Sequence, residues 1–581
     1  MQTLINIKAC SFFIKGRIRR IFIFIFLTGW ISELRAQTCI SRLESAHAWA
    51  DSLKNHAAKV HLGLRGGGIS YDGLMRPGAL YNGKCLVFTD GLWLGAYDDA
   101  GNPFVAAQNY NQKGFDFAVG PLRTDGTAQT DNEFCENFDR VFRVTREEVE
   151  AFKADFDAGN PVSAEIHPAV FAWPGSIHAD GFETGLAPFH DLNSDGVYNP
   201  AEGDHPFVFG DETAFWVIND LTAHSETDSS PPLGVEIRYL AFTFNNPADA
   251  DRYHSTFYRV KIINRSARNY PVFTLGLWAD FDLGFEFDDY FGCDTLRHLG
   301  YVYNGDDFDE TMKGFGNDWP SAGYTLFRGM PGADDDGADN NRNGATDEPG
   351  EDFGLSGFMC YYNYFDKTGN PQSSDDFLRY LSGKWIDDSL WVDDREHNGN
   401  AYPDSGESAP PTRYFYPDPP PSASPCTNVP ANGWSMEIGE EKPIFDRRAM
   451  MLSGPGRLPA GGEITVDYAV VIAAPTQQPN DSPCELFGRV DRLRNGYPQH
   501  YMDNWVSSRA NVPPIRFKTK NLGDGRYEFE GLSPNASLTF YDLAGRRLAL
   551  QSPDLRDFPA GLYVCRVRDG DRSVAVRLIR P

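Results

Sequence analysis

Gly234-Val235-Glu236-Ile237-Arg238-Tyr239-Leu240-Ala241-Phe242-Thr243-Phe244 alternates side-chain character from one residue to the next. A period of two puts successive side chains on opposite faces of an extended chain, and the β-branched and aromatic content suits a pleated surface. Ser255-Thr256-Phe257-Tyr258-Arg259-Val260-Lys261-Ile262-Ile263-Asn264 and Phe273-Thr274-Leu275-Gly276-Leu277-Trp278 repeat the pattern downstream. Upstream, Ala214-Phe215-Trp216-Val217-Ile218 reads as a buried strand, and residues 449–452 and 464–472 supply late strands that close the sheet. The expected class is all-β, with a large β-sandwich body over 207–475 and long loops inserted between its strands.

Outward from this body, 37–206 reads as a β-rich N-terminal region with strands at Leu86-Val87-Phe88, Gly91-Leu92-Trp93-Leu94-Gly95 and Phe104-Val105-Ala106-Ala107. Helical spacing is confined to residues 46–60, 145–154 and 485–505, the last within a linker expected over 476–512. From 513 to 581 short alternations return, separated by Gly, Pro and Asp, as in a small antiparallel β-domain. The 56 glycines, 39 prolines and 14% aromatic content agree with many turns and strands.

At the other end, Lys15-Gly16-Arg17-Ile18-Arg19-Arg20 precedes an apolar run over 21–31 and a small residue at Ala36. Basic segment, apolar core and small-residue exit form the pattern of a signal peptide over 1–36. The run of about 11 residues is well short of the ~20 that span a bilayer, and no later stretch is long and apolar enough. The expected mature chain therefore lacks a transmembrane segment.

Net charge is −28. Like-charge repulsion disfavours nucleic acid and anionic membranes as partners, whereas divalent cations would offset part of the acidity. Beyond Cys10, eight cysteines remain at wide spacing without CxxC, which disfavours zinc and leaves disulfides open without fixing their connectivity.

The sharpest motif is Asp191-Leu192-Asn193-Ser194-Asp195-Gly196-Val197-Tyr198-Asn199-Pro200-Ala201-Glu202, which satisfies D-x-[DN]-x-[DN]-G-x5-E. Calcium takes six to eight oxygens at about 2.3–2.6 Å. Asp191, Asn193 and Asp195 would converge over the turn at Gly196, Val197 would add its carbonyl, and Glu202 would close the site. No helices flank it, so the expectation is an EF-like loop in a β protein. A partial copy runs from Asp394 through Glu396, Asn398 and Gly399 to Glu407, with Ser405 at the closing position. His190, His205 and His397, in or beside these loops, read as loop surface.

A third acidic run contains Asp334, Asp336, Asp339, Asn341, Asn343, Asp347 and Glu348. It resembles the D-x-D-G-x-D-N-N-x-x-G-x-x-D-E metal-binding repeat of secreted bacterial proteins and the acidic spacing of thrombospondin type 3 repeats. That resemblance implies one or two calcium ions; solvated disorder is the alternative. Asp280, Asp282, Glu286, Asp288 and Asp289 form a last acidic group after a strand. The expected state there is a solvated loop, with a cation site or a glycosidase acid/base pair as alternatives.

At the C-terminus, Leu538-Thr539-Phe540-Tyr541-Asp542-Leu543-Ala544-Gly545-Arg546-Arg547, Phe558-Pro559-Ala560-Gly561-Leu562-Tyr563-Val564 and Arg577-Leu578-Ile579-Arg580-Pro581 occur in order. They resemble the type A sorting domain of type IX secretion substrates, with Asp542, Gly545, Arg546, Gly561, Tyr563 and Arg577 on its motif positions. Arg577 stands where that pattern has Lys, which keeps the charge. The resemblance implies a small Ig-like β-sandwich, engagement of the type IX secretion machinery, and a secreted or outer-surface destination. Removal of the domain and attachment to lipopolysaccharide, a cell-surface glycan, are common in that family. The body is also similar, at Gly91-Leu92-Trp93-Leu94-Gly95, residues 257–266 and Asp289-Tyr290-Phe291-Gly292-Cys293-Asp294, to secreted proteins of no assigned activity that carry the same tail.

Asp51-Ser52-Leu53, Asp294-Thr295-Leu296 and Asp388-Ser389-Leu390 resemble the D-[ST]-aliphatic O-glycosylation pattern of bacteria that use this system. No G-x-S-x-G, H-E-x-x-H or phosphate-binding loop occurs, and Trp93, Trp216, Trp278 and Trp385 read as core before sugar platforms. The leading expectation is a non-enzymatic calcium-stabilised scaffold for adhesion, matrix or surface structure. The alternative is a polysaccharide-active enzyme or carbohydrate-binding protein.

Overall fold

The computed structural model describes residues 78–497 save 111–112, 132–136, 178, 333–336, 341, 343, 345, 348–349, 396–399, 404–408, 424–425, 429–431, 440–444 and 476–480. Strand segments between 52 and 62, and strands and short turns between 518 and 580, are also described. The architecture is mostly β, in several antiparallel sheets.

One five-stranded sheet runs, in spatial order, Gly357–Tyr362, Arg447–Leu458, Tyr270–Asp280, Thr89–Tyr97 and Pro103–Ala107. The other large sheet begins Asp289–Asp294, Leu299–Asn304, Ser321–Arg328 and Glu463–Ala473. It continues Ser255–Asn264, Val235–Thr243 and Glu212–Asn219, with Ala118–Val119 and Phe142–Thr145 both pairing with Glu212–Asn219. Strands from before and after residue 206 thus share both sheets.

Both sheets feed one continuous hydrophobic core, which includes Trp93, Trp216, Trp278 and Trp385, as the sequence suggested. A polar pin crosses it: Tyr324 of the larger sheet donates its hydroxyl to Asp90 Oδ2 of the five-stranded sheet at 2.9 Å. Leaving a buried carboxylate without such donors would be costly.

Alternation along Val235–Thr243 does not mark a solvent face. Glu236 and Arg238 are buried and paired at 2.7 Å, and Arg265 Nε reaches Glu236 Oε2 at 3.2 Å. The polar side of the strand is covered by chain that supplies Glu183, whose Oε2 lies 2.8 Å from Arg238 Nη2.

The helices fill specific gaps. Ser374–Ser382 lies against the five-stranded sheet where a Cβ on Gly95 would come within 2.6 Å of Leu381 Cδ1, so glycine there lets the leucine pack without shifting. Arg146–Ala158 starts at the Thr145 cap, where Thr145 and Glu148 form a reciprocal capping box, and ends at Gly159 in the left-handed region. Ser482–Asn495 buries Leu486, Phe487, Val490 and Leu493 in the main core. The cystine between Cys426 and Cys484 ties its first turn to the 421–426 segment. Among the described residues Cys85, Cys293 and Cys565 are free thiols.

The helix expected over 46–60 is corrected within its described part: Ser52–Leu53 pairs with Ala58–His61, which in turn pairs with Ala79–Tyr81. Pairing on both edges overrides local helical spacing.

At the C-terminus Lys518–Gly523 and Arg526–Glu530 form a ribbon. A four-stranded antiparallel sheet has the order Arg547–Leu548, Ser537–Asp542, Gly561–Asp569, Arg572–Arg580. Tyr527, Phe540, Leu555, Cys565 and Leu578 make a core of their own. Asp542 stands opposite Tyr563, Gly561 opposite Arg580, and Val564 opposite Arg577, while Gly545 and Arg546 lie outside the described residues.

Candidate functional site: a cleft over buried carboxylates

The Tyr270–Asp280 strand pairs with Arg447–Leu458 in a register that sets Ala279 opposite Ala449. That register brings Asp280, at the end of one strand, beside Arg448 near the start of the other. Asp446 and Asp282 flank the pair, and one carboxylate oxygen from each of Asp280, Asp282 and Asp446 lies within 4.8 Å of the others. Arg448 Nη1 is 2.9 Å from Asp280 Oδ1 and also pairs with Asp446. Tyr110 donates its hydroxyl to Asp280 Oδ2 at 2.7 Å.

Burial penalises the charged form here. It pushes the Asp280 carboxyl up to about 7 and that of Asp282 well above the carboxylate range. Arg448 counters the shift on both.

The centre opens into a cleft of about 340 Å³ with Phe88, Tyr110, Tyr361 and Phe365 among its walls. Asn109, Lys113, Glu226, Asn363, Asn370 and Gln372 supply polar groups. The floor is stiff: Trp278 Nε1 donates to the Tyr361 hydroxyl at 2.7 Å, and the Tyr110 ring meets Trp278 edge-on at 5.3 Å. Phe365, by contrast, is 71% exposed at the rim. Glu226 is buried, which pushes its carboxyl up to about 7. A rigid floor, an exposed ring and convergent amide and carboxyl groups suit a polar ligand with an apolar face.

The solvated loop expected at Asp280–Asp289 is corrected, because Asp280 and Asp289 are each only 2% exposed. A second acidic group, Asp288, Asp306 and Glu310, also gathers ligand oxygens within 4.8 Å, and both groups could hold a metal ion. Sequence reading did not reach Asp446, Arg448, Asp306 or Glu310. The available signal was charge placed at the ends of otherwise apolar strands.

The Asp191–Glu202 motif is a closed turn. Pairing of His190 with His205 brings its two ends together. Asp191 Oδ2 accepts from Gly196 N at 2.7 Å, Asp195 Oδ1 accepts from Val197 N at 2.8 Å, and Asn193 Nδ2 donates to Asp195 at 3.0 Å and to Glu202 at 2.6 Å. Gly196 has φ +76° with open space where a Cβ would stand. Asp204 closes the turn from beneath, accepting from Leu192 N and Asn199 N at 2.9 Å each. His205 is buried and stacks on His190 at 4.8 Å, which corrects the surface reading made for it.

In the third acidic run, Asp347 accepts from Gly337 N at 2.9 Å and Asp339 from Gly344 N at 2.9 Å. Asp334, Asp336, Asn341, Asn343 and Glu348 lie outside the described residues, as do Glu396, Asn398, His397 and Glu407 of the partial copy. Asp394 is buried. Leu296 and Leu390, in two of the D-[ST]-aliphatic triplets, are 73% and 47% exposed.

No protein-family profile matches the chain, and no curated protein matches it. Among the described residues no helix is long and apolar enough to cross a membrane.

Proposed function

We propose that this is an exported protein of the outer cell surface or extracellular space, a calcium-stabilised β scaffold used in adhesion, matrix or surface structure. In this reading the two large sheets are the layers of one sandwich, and the C-terminal strands are a sandwich-like sorting domain read by type IX secretion machinery. Calcium occupies the turn at Asp191–Glu202, and further calcium sits in the acidic loops at 334–348 and 394–407. The observation that carries it is the Asp191–Glu202 turn, whose ends are clamped by the His190–His205 pairing and whose oxygens are held by their own backbone and Asn193. Preorganised oxygens lower the cost of ordering a loop around an ion.

Thermal unfolding of the mature chain in chelator and in millimolar calcium tests this. Melting should rise with calcium, and coincident curves would remove the calcium reading. Export is tested separately: a chain ending before residue 513 should stay in the cell envelope of a type IX-competent host, and its appearance outside would remove the sorting role.

A second reading, carbohydrate binding at the Asp280 cleft, is favoured by the exposed Phe365 ring beside Asn363, Asn370 and Gln372. Aromatic faces carry apolar sugar faces, while amides and carboxylates take hydroxyls. Asp280 and Asp282 place one carboxylate oxygen each within 4.8 Å of the other, so two carboxyls face the same cleft. Incubation with a glycan panel separates the readings: binding without turnover supports a lectin-like site, product release makes it an enzyme, and neither outcome leaves only the scaffold.

A further inference from the structure

Three carboxyls, Asp280, Asp282 and Glu226, and two cations, Lys113 and Arg448, line the cleft over Asp280. Both cations are already engaged. Arg448 Nη1 lies 2.9 Å from Asp280 Oδ1 and also pairs with Asp446, and Lys113 Nζ donates to the Gln372 carbonyl at 2.6 Å. The second Asp280 oxygen takes the Tyr110 hydroxyl at 2.7 Å. Asp282 differs: it lines the cleft and accepts no hydrogen bond from the described residues. The groups acting on it are Asp280, Asp446 and Glu286, all negative, and the one guanidinium of Arg448. A carboxylate offers acceptor sites only, so Asp282 presents unmet acceptor capacity to whatever enters.

The walls favour the same kind of guest. Phe88, Tyr110, Tyr361 and Phe365 line this space, and the electron-rich face of an aromatic ring attracts a cation. The charges of Asp280 and Glu226 both reach Tyr361, so carboxyls bear on the floor from two distant stretches of chain. In the free protein, protons hold down the surplus charge: burial raises Asp280 and Glu226 to about 7 and Asp282 further. An ammonium brings a full positive charge and three donors, and it replaces such a proton without breaking an ion pair of the fold. A carboxylated or phosphorylated ligand would meet repulsion instead.

We propose that the ligand of this cleft is an amino sugar, a pyranose bearing a free protonated amine, with its ammonium held by Asp282 and its apolar face on the cleft aromatics. The inference rests on the carbohydrate reading of the same cleft and adds the charge of the sugar. A space of about 340 Å³ suits a short saccharide, at the lower end of the ~300–1,000 Å³ typical of small-molecule sites. Calcium has no part in it.

The test is calorimetric titration of the mature chain with glucosamine oligomers and with N-acetylated oligomers of the same length, at about pH 6, where the amine keeps its proton. The free-amine oligomers should bind about tenfold tighter, and a proton should pass to the buffer, seen as a heat that changes with the buffer's ionisation enthalpy. Equal or tighter binding of the N-acetylated oligomers overturns the inference and leaves the carbohydrate reading standing. Binding of neither, nor of any neutral glycan, overturns both. Cyclohexylamine binding as tightly as the glucosamine oligomers removes the sugar and the inference with it. Asp282→Asn removes a charge without removing a hydrogen bond of the fold. It should weaken free-amine binding about tenfold and leave N-acetylated binding unchanged; unchanged free-amine affinity in this variant overturns the role given to Asp282.

Discussion

The Asp280 centre and the Asp191 turn both crowd carboxylates, and the fold handles them in opposite ways. At Asp280 the acids are carried by strand ends in the core, and the protein supplies its own cation, Arg448, together with the Tyr110 hydroxyl. At Asp191 the acids are contiguous in sequence and are oriented by backbone N–H groups and one amide. Charge buried in a core has to be neutralised when the chain folds, whereas charge on a clamped surface turn can await an ion. The first arrangement gives a fixed electrostatic floor under a cleft, and the second, on the proposed calcium reading, binds its ion reversibly.

The largest expected effect breaks the first side of that contrast. Arg448→Leu leaves the buried Asp280 carboxyl without its ion-pair partner and should cost about 3–5 kcal/mol in chemical denaturation, with or without calcium. A loss under ~1 kcal/mol would mean the centre is not neutralised by Arg448.

On the proposed reading the second side responds to ions instead. At a hundredfold excess of calcium over its dissociation constant, each occupied site should add about 2.7 kcal/mol. Glu202→Gln should remove one such increment in calcium while changing little in chelator. Equal calcium sensitivity in variant and wild type would erase the distinction between the regions.

Acidity of the cleft sharpens the contrast. Glu226 rises from 4.5 to about 7 because burial disfavours its charged form. The folded state then holds the proton more tightly than the unfolded chain, so this contribution is complete below about pH 4.5 and is lost as pH rises through 7. Glu226→Gln should remove about 3 kcal/mol of that pH-dependent change, read from denaturation midpoints across pH. A slope identical to wild type would show that Glu226 stays ionised in the fold.

The smallest effect concerns the backbone of the turn. Gly196→Ala places a Cβ in the left-handed region without meeting other atoms and should cost about 1 kcal/mol. A much larger loss would indicate that the turn holds more than its own conformation.

Local patterns were legible in the sequence where local physics decides them. Two-residue alternation marked several strands of each large sheet, such as 234–244 and 273–278, and helical spacing over 145–154 marked a helix whose start is a capping box at Thr145 and Glu148. The Asp191 motif was readable because its spacing is contained in one turn. The Asp280 centre was not, since Asp446 and Arg448 reach it only through the pairing of two strands far apart in the chain. Asp306 and Glu310 meet Asp288 for the same reason, across a hairpin. The segment at 46–60 shows the reverse failure, where helical spacing yields to pairing with Ala79–Tyr81.

Calorimetric titration of calcium chloride into the chelator-stripped mature chain bears most directly on the idea that these acidic groups are organised for divalent ions. Saturable heat with more than one equivalent per chain is predicted, reduced by Glu202→Gln. Heats indistinguishable from dilution up to millimolar calcium would contradict it.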